Sequence, residues 1–141
     1  MVTANTLADL CDQPAHTAEQ QRKAKLAVDL LTRVFVCPED FDAAPIGDVY
    51  VQHSPGVGDG KEALRCFAEN IVAAAPDAHL DIKRVLVDGD YVVVHSHVTW
   101  SPGDPGTALI DLFRVKDDTV VEHWDIMQQV PAESANDNTM F

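Results

Sequence analysis

Positive charge is scarce in this sequence: 10 Lys and Arg stand against 23 Asp and Glu, a formal net charge of −13. Such a surface repels phosphate backbones and anionic lipid head groups, so neither nucleic acid nor membrane is expected as a partner. Long apolar runs are also missing; a stretch such as Tyr91 to Val94 is far too short to cross a bilayer. The opening residues, MVTANTLADLCDQPAH, lack a basic segment followed by an apolar one, so no secretion signal is read and cytoplasmic residence is expected. Cysteine is limited to Cys11, Cys37 and Cys66, odd in number, widely spaced and without a C-x-x-C pair. That argues against a disulfide framework and against a thiolate zinc site. All three are read as reduced, buried, small apolar residues. No internal repeat, low-complexity tract or linker is evident.

What is present is the composition of an ordinary globular protein, 46% hydrophobic and 23% charged. A chain of 141 residues matches one domain over 1–141, with 1–15 and 131–141 as peripheral tails. The segment HTAEQQRKAKLAVDLLTRVFV predicts an amphipathic helix. Thr17 and Gln20 form a capping box, Ala24, Ala27, Leu31, Val34 and Phe35 share one face, and Pro38 ends the run. Residues 39–58 predict a short helix, an extended piece from Val49 to His53 and a mobile Gly/Pro-rich loop. A second amphipathic helix follows, with Asp59 placed to cap it, Leu64, Phe67, Ile71 and Val72 on the buried face and Pro76 beyond its end.

From Ala78 the period changes to alternation, predicting strands near 79–87, 90–100, 107–116 and 119–129. The connections are too short for crossover helices, so the strands form an antiparallel meander and the fold class is α+β. Within it, Asp111 stands among Leu109, Ile110, Leu112 and Phe113. A carboxylate there either acts in a pocket, where burial makes it a usable base, or serves as a structural acceptor for a buried amide, Arg65 or Arg84. A two-residue turn at Asp117 and Asp118 would set Asp111 opposite Trp124, with His123 and Asp125 on the other face. Two registers are open for the preceding strand. One places His97 opposite Asp111 and gathers His95, His97, Asp111 and Trp124 on one surface; the other sets the histidines beside Ile110 and Leu112, away from the carboxylate. Grouping the polar residues favours the first. A bulge would instead turn His123 and Asp125 inward.

The pieces YVQHSPGVGDGKEAL, DGDYVVVHSHV, ALIDLFRVKDDTVVEHWDIMQQVP and ANDNTMF resemble the SnoaL-like polyketide cyclase branch of the NTF2-like superfamily, closest to its aldol-condensation members. The likeness runs from about Tyr50 to the C-terminus. It implies a cone-shaped barrel, a curved, mostly antiparallel sheet wrapped around the N-terminal helices, enclosing an apolar pocket. It further implies a homodimer through the outer sheet face, and aldol-type acid/base chemistry without metal or organic cofactor. An aspartate on the sheet acts with a nearby histidine in such cyclases, and these carry over to Asp111 and His97, with Asp125 the competing match. His53 would sit at the pocket mouth, where it could stabilise an enolate or merely tie down the loop. His95, Trp124, Tyr50, Phe113 and Phe67 would line the substrate site together with Val93. His95, His97 and Asp111 could also compose a metal triad, but the sequence adds no further spaced ligands.

The expected activity is removal of a proton next to a carbonyl in a small or medium apolar compound, leading to aldol closure, isomerisation or loss of water. The alternative is a non-catalytic, dimeric small-molecule-binding domain. The superfamily hosts both, and fold alone does not choose between them.

Overall fold

The computed structural model describes residues 3–10 and 12–141. Helix α1, Ala18–Phe35, opens on the expected capping box: the Thr17 side chain accepts from the Gln20 amide and the Gln20 side chain from that of Thr17. Its stripe Ala24, Ala27, Leu30, Leu31, Val34 and Phe35 is buried, and each fully buried large side chain stabilises the fold by about 1.5–3 kcal/mol. A 3-10 turn, Pro38–Ala43, leads into strand β2, Ile46–Gln52. Helix α2, Lys61–Ala74, follows. Asp59 does not cap it; its carboxylate accepts from the Gln52 amide at 2.8 Å, and Gly60 occupies the cap position.

Strands β3 (His79–Asp88), β4 (Tyr91–Thr99), β5 (Thr107–Lys116) and β6 (Thr119–Gln129) form the antiparallel meander. Two short parallel additions complete the sheet: β1, Thr3–Ala4, on β3, and β2 on β6. The order is β1-β3-β4-β5-β6-β2, and the helices pack on its inner face. This is the α+β, NTF2-like cone anticipated from the sequence.

Two features of register depart from expectation. The turn at Asp117 and Asp118 is the two-residue type, both residues at positive φ (48° and 61°), as hairpin twist requires. Val115 then pairs with Val120, but Arg114 pairs with Glu122, so Val121 is an extra residue, a β-bulge. Beyond it the parity of β6 inverts: Phe113 faces His123 and Asp111 faces Asp125. Trp124 goes to the outer face. The bulge keeps Val120 inside and releases Glu122 to the outside, where it binds Arg114 at 2.5–2.7 Å and His53 at 2.8 Å.

Between β4 and β5 neither expected pairing holds: Val94 opposes Asp111, His95 opposes Ile110 and His97 opposes Ala108, which is two residues along from the second register but turns both histidines away from the carboxylate as that register did. The reason is the valines. Val92, Val94 and Val98 are fully buried, and turning both histidines inward would expose all three, at about 1.5–3 kcal/mol each. Grouping polar residues does not repay that loss.

The cysteines do not form a buried set. Cys66 is exposed and Cys37 partly so, both are free, and Cys11 lies outside the described residues. The C-terminal Phe141 folds back onto the outer face, its ring stacked on His97 (4.3 Å) and His95 (5.7 Å). No helix among the described residues is long and apolar enough to cross a membrane.

Candidate active site

Between α1, α2 and the concave sheet lies a cavity whose room for the centres of water-sized spheres is about 60 Å³, several times the roughly 10–15 Å³ that one water needs. Its walls are apolar, among them Leu30, Val34, Phe35, Phe67, Ile71 and Trp100. One end is polar. There β2 contributes Tyr50 and Gln52, β5 contributes Asp111, and β6 contributes His123 and Asp125. Alternation along each strand aims these side chains inward, and the bulge at Val121 brings the β6 pair into phase with Asp111.

Asp111 is 3% exposed. Its Oδ1 lies 3.0 Å from His123 Nε2, whereas no donor among the described residues reaches its Oδ2. An unpartnered carboxylate oxygen in an apolar hollow is expensive, because neither water nor an amide replaces its lost hydration. Burial pushes the Asp111 carboxyl above its ordinary value; the His123 contact pulls it back in part, and the charge of Asp125 on the adjacent strand raises it further. The result is a stronger base than a surface carboxylate.

His123 is also buried, its Nδ1 2.8 Å from Gln52 Oε1 and its ring stacked on Phe113 at 4.8 Å. Gln52 reaches Tyr50 through its Nε2, 3.3 Å from the phenolic oxygen. Tyr50 is 5% exposed, and burial, together with the nearby Asp111 charge, pushes its phenol well above the ordinary value, so it stays a neutral O–H donor. Ligand atoms of Asp111, His123 and Asp125 lie within 4.8 Å of one another, a spacing that a divalent cation could also bridge.

Asp111, Tyr50, Phe113 and Phe67 thus line the cavity, and the alternates His123 and Asp125 join them. The other expected placements are corrected. His97 sits on the outer face and its Nε2 contacts the Pro105 carbonyl at 2.8 Å, tying down the 101–106 loop. His95 also lies outside, 2.5 Å from Arg84; burial and that guanidinium hold its imidazole below the usual histidine value. His53 does not reach the cavity. It stacks on the outward Trp124 at 4.6 Å, with only 3° between the rings, and binds Glu122. Val93 pairs with Leu112 on the same outer face. Neither arginine weighed as a partner serves Asp111: Arg84 binds Asp12 and Arg65 binds Asp42.

Gln52 is the site residue that sequence reasoning missed. Its signal was the Y-x-Q spacing, which puts Tyr50 and Gln52 on one face of a strand.

No curated protein matches the chain. Several solved structures share its fold. A candidate polyketide cyclase from Bacillus cereus is 22% identical over 84% of this chain and 83% of its own, with a TM-score of 0.68. A candidate SnoaL-like polyketide cyclase from a Jannaschia species is 16% identical over 81% and 90%, with a TM-score of 0.65. A candidate ketosteroid isomerase from Kribbella flavida is 18% identical over 84% and 86%, also at 0.65. At these identities the likeness establishes the fold. The family model for the SnoaL-like domain matches residues 38–123, from the turn before β2 through His123 and so most of the polar end of the cavity, and on that match the chain belongs to the SnoaL-like domain family.

Proposed function

We propose that this protein is a cofactor-independent acid/base enzyme acting on a small or medium carbonyl compound with a substantial apolar part. The observation that carries the reading is Asp111 Oδ2, a buried carboxylate oxygen with no protein donor among the described residues, on the wall of an apolar cavity. In this mechanism Oδ2 takes the proton from the carbon next to the substrate carbonyl. The C–H electron pair moves into the new C–C double bond, and the carbonyl oxygen becomes an enolate. Tyr50, a neutral phenol at the same end of the cavity, donates its O–H to that oxygen. His123 shares a proton with Oδ1 and offsets the charge on Asp111. Attack of the enolate carbon on a second carbonyl, with Asp111 returning its proton to the new alkoxide, gives aldol closure. Return of the proton to a different carbon gives isomerisation, and delivery to a leaving hydroxyl gives dehydration. Ketosteroid isomerase, in which an aspartate base works with a tyrosine donor, follows the same logic.

The names of the structural neighbours, polyketide cyclase and ketosteroid isomerase, fit this class of chemistry. The small cavity favours compact substrates, and its apolar walls account for the preference for an apolar body. The outer sheet face exposes Leu86, Tyr91, Ile110 and Ile126 beside Trp124, and we assign it to a second copy of the chain.

The test is deuterium exchange. Apolar cyclic ketones and 1,3-dicarbonyl compounds are incubated with protein in D₂O, and loss of the proton next to the carbonyl is followed by NMR. Exchange catalysed by the wild type and abolished in Asp111→Asn supports the proposal. Ligand binding without exchange would replace it with the non-catalytic binding domain.

A further inference from the structure

The orientation of the Gln52 amide is set by chemistry that cannot reverse. Its Oε1 lies 3.0 Å from the backbone nitrogen of Ser54, and an N–H can only donate. Flipping the amide would set its NH₂ against that N–H, so the atom facing Ser54 is the oxygen. The same oxygen is 2.8 Å from His123 Nδ1, which must therefore carry a proton. The amide nitrogen is left to donate to the Tyr50 oxygen. Two backbone ties hold Gln52 there: its own N–H donates to Asp59 at 2.8 Å, and the next residue's N–H donates to the His123 carbonyl at 2.9 Å.

The far side of the imidazole is constrained in turn. With Nδ1 protonated, Nε2 lies 3.0 Å from Asp111 Oδ1. A bare nitrogen facing a carboxylate would set two acceptors against each other. The contact is a hydrogen bond only when one proton lies between them, carried by either the imidazole or the carboxyl.

Resting on the acid/base reading above, we propose that Gln52 is a positioning residue. By accepting from Nδ1 it holds His123 in one tautomer, so that the Asp111–His123 couple keeps one transferable proton; by donating to Tyr50 it turns the phenolic proton toward the cavity. Without Gln52 the ring is free to protonate Nε2 instead and donate to Asp111, which becomes a plain carboxylate with no stored proton. The couple then holds one proton fewer, and a neutral imidazole no longer offsets the charge on Asp111 as the acid/base reading requires.

The experiment is long-range ¹H–¹⁵N correlation of the histidine side chains in the ¹⁵N-labelled protein, without substrate, for the wild type, Gln52→Glu and Gln52→Leu. The wild type is expected to show His123 Nδ1 at the protonated, pyrrole-type position. Gln52→Glu, which keeps an acceptor oxygen, retains that position, and Gln52→Leu moves Nδ1 to the bare, pyridine-type position. A pyridine-type Nδ1 in the wild type overturns the proposal even if Gln52→Leu fails to fold, and so does a Gln52→Leu spectrum identical to the wild type. In deuterium exchange, Gln52→Leu is expected to lose about 10–100-fold in rate, and Gln52→Glu to lose less. If Asp111→Asn leaves exchange intact while the tautomer results hold, the acid/base reading fails and the positioning of His123 survives.

Discussion

Replacing Asp111 with asparagine should make the protein more stable and less active. The side chain is 3% exposed, and its Oδ2 has no donor among the described residues. An unsatisfied buried polar group costs about 1–3 kcal/mol, and a charged one more. The asparagine amide keeps the shape, and its NH₂ can donate to His123 Nε2 in place of the shared proton. The amide oxygen, in the place of Oδ2, still lacks a donor but carries no net charge. The variant should therefore gain about 1–3 kcal/mol at pH 8 from the lost buried charge, an increase in Tm of about 3–10 °C for a domain of this size. The pH dependence follows from the direction of the Asp111 shift. A carboxyl whose folded-state value is raised binds its proton more tightly in the folded than in the unfolded chain. Wild-type stability is thus fully present below the unfolded value of about 3.8, declines as pH rises toward the folded value, and levels off above it. The asparagine variant has no such decline from this position. Urea and thermal unfolding of both proteins from pH 4 to pH 9 would show a difference that grows with pH and then flattens. A variant less stable than the wild type at pH 8, or a difference independent of pH, would refute the reasoning.

Tyr50→Phe keeps the buried ring and removes the donor; turnover of an exchanging substrate should fall about 10²–10³-fold, with KM little changed, in steady-state kinetics. Gly106→Ala should destabilise the fold by about 1–3 kcal/mol in urea titration, because the backbone there has φ of +85° and the new Cβ would collide with the Val98 carbonyl oxygen and with His97 Nε2. Ile126→Glu puts a charge on a side chain that is 76% exposed on the outer face. If that face joins two copies, sedimentation velocity should show the mass halved with the circular dichroism unchanged.

The architecture was legible because its signals are local and repeated. The capping box at Thr17 and Gln20, the apolar stripe through Phe35 and the alternation from His79 onward each specify one element. The site was harder to read, since strand parity depends on single residues. A Val120-Val121 doublet interrupts the alternation of β6, and that one extra residue decides whether His123 or Trp124 meets the carboxylate. On β4, histidines and valines alternate, so polarity alone admits either face; the burial energy of Val92, Val94 and Val98 decides it. The two edge pairings, β1 on β3 and β2 on β6, join segments far apart in sequence and leave no turn signal to announce them. Gln52 enters the site through the second of these.

The central claim is that Asp111 is a buried base of raised proton affinity, and its carboxyl can be watched directly. The measurement is a ¹³C NMR titration of aspartate side-chain carboxyls in the folded protein, with the Asp111 resonance assigned by its loss in Asp111→Asn. A midpoint clearly above 3.8 is predicted. A midpoint at or below that value would contradict the claim.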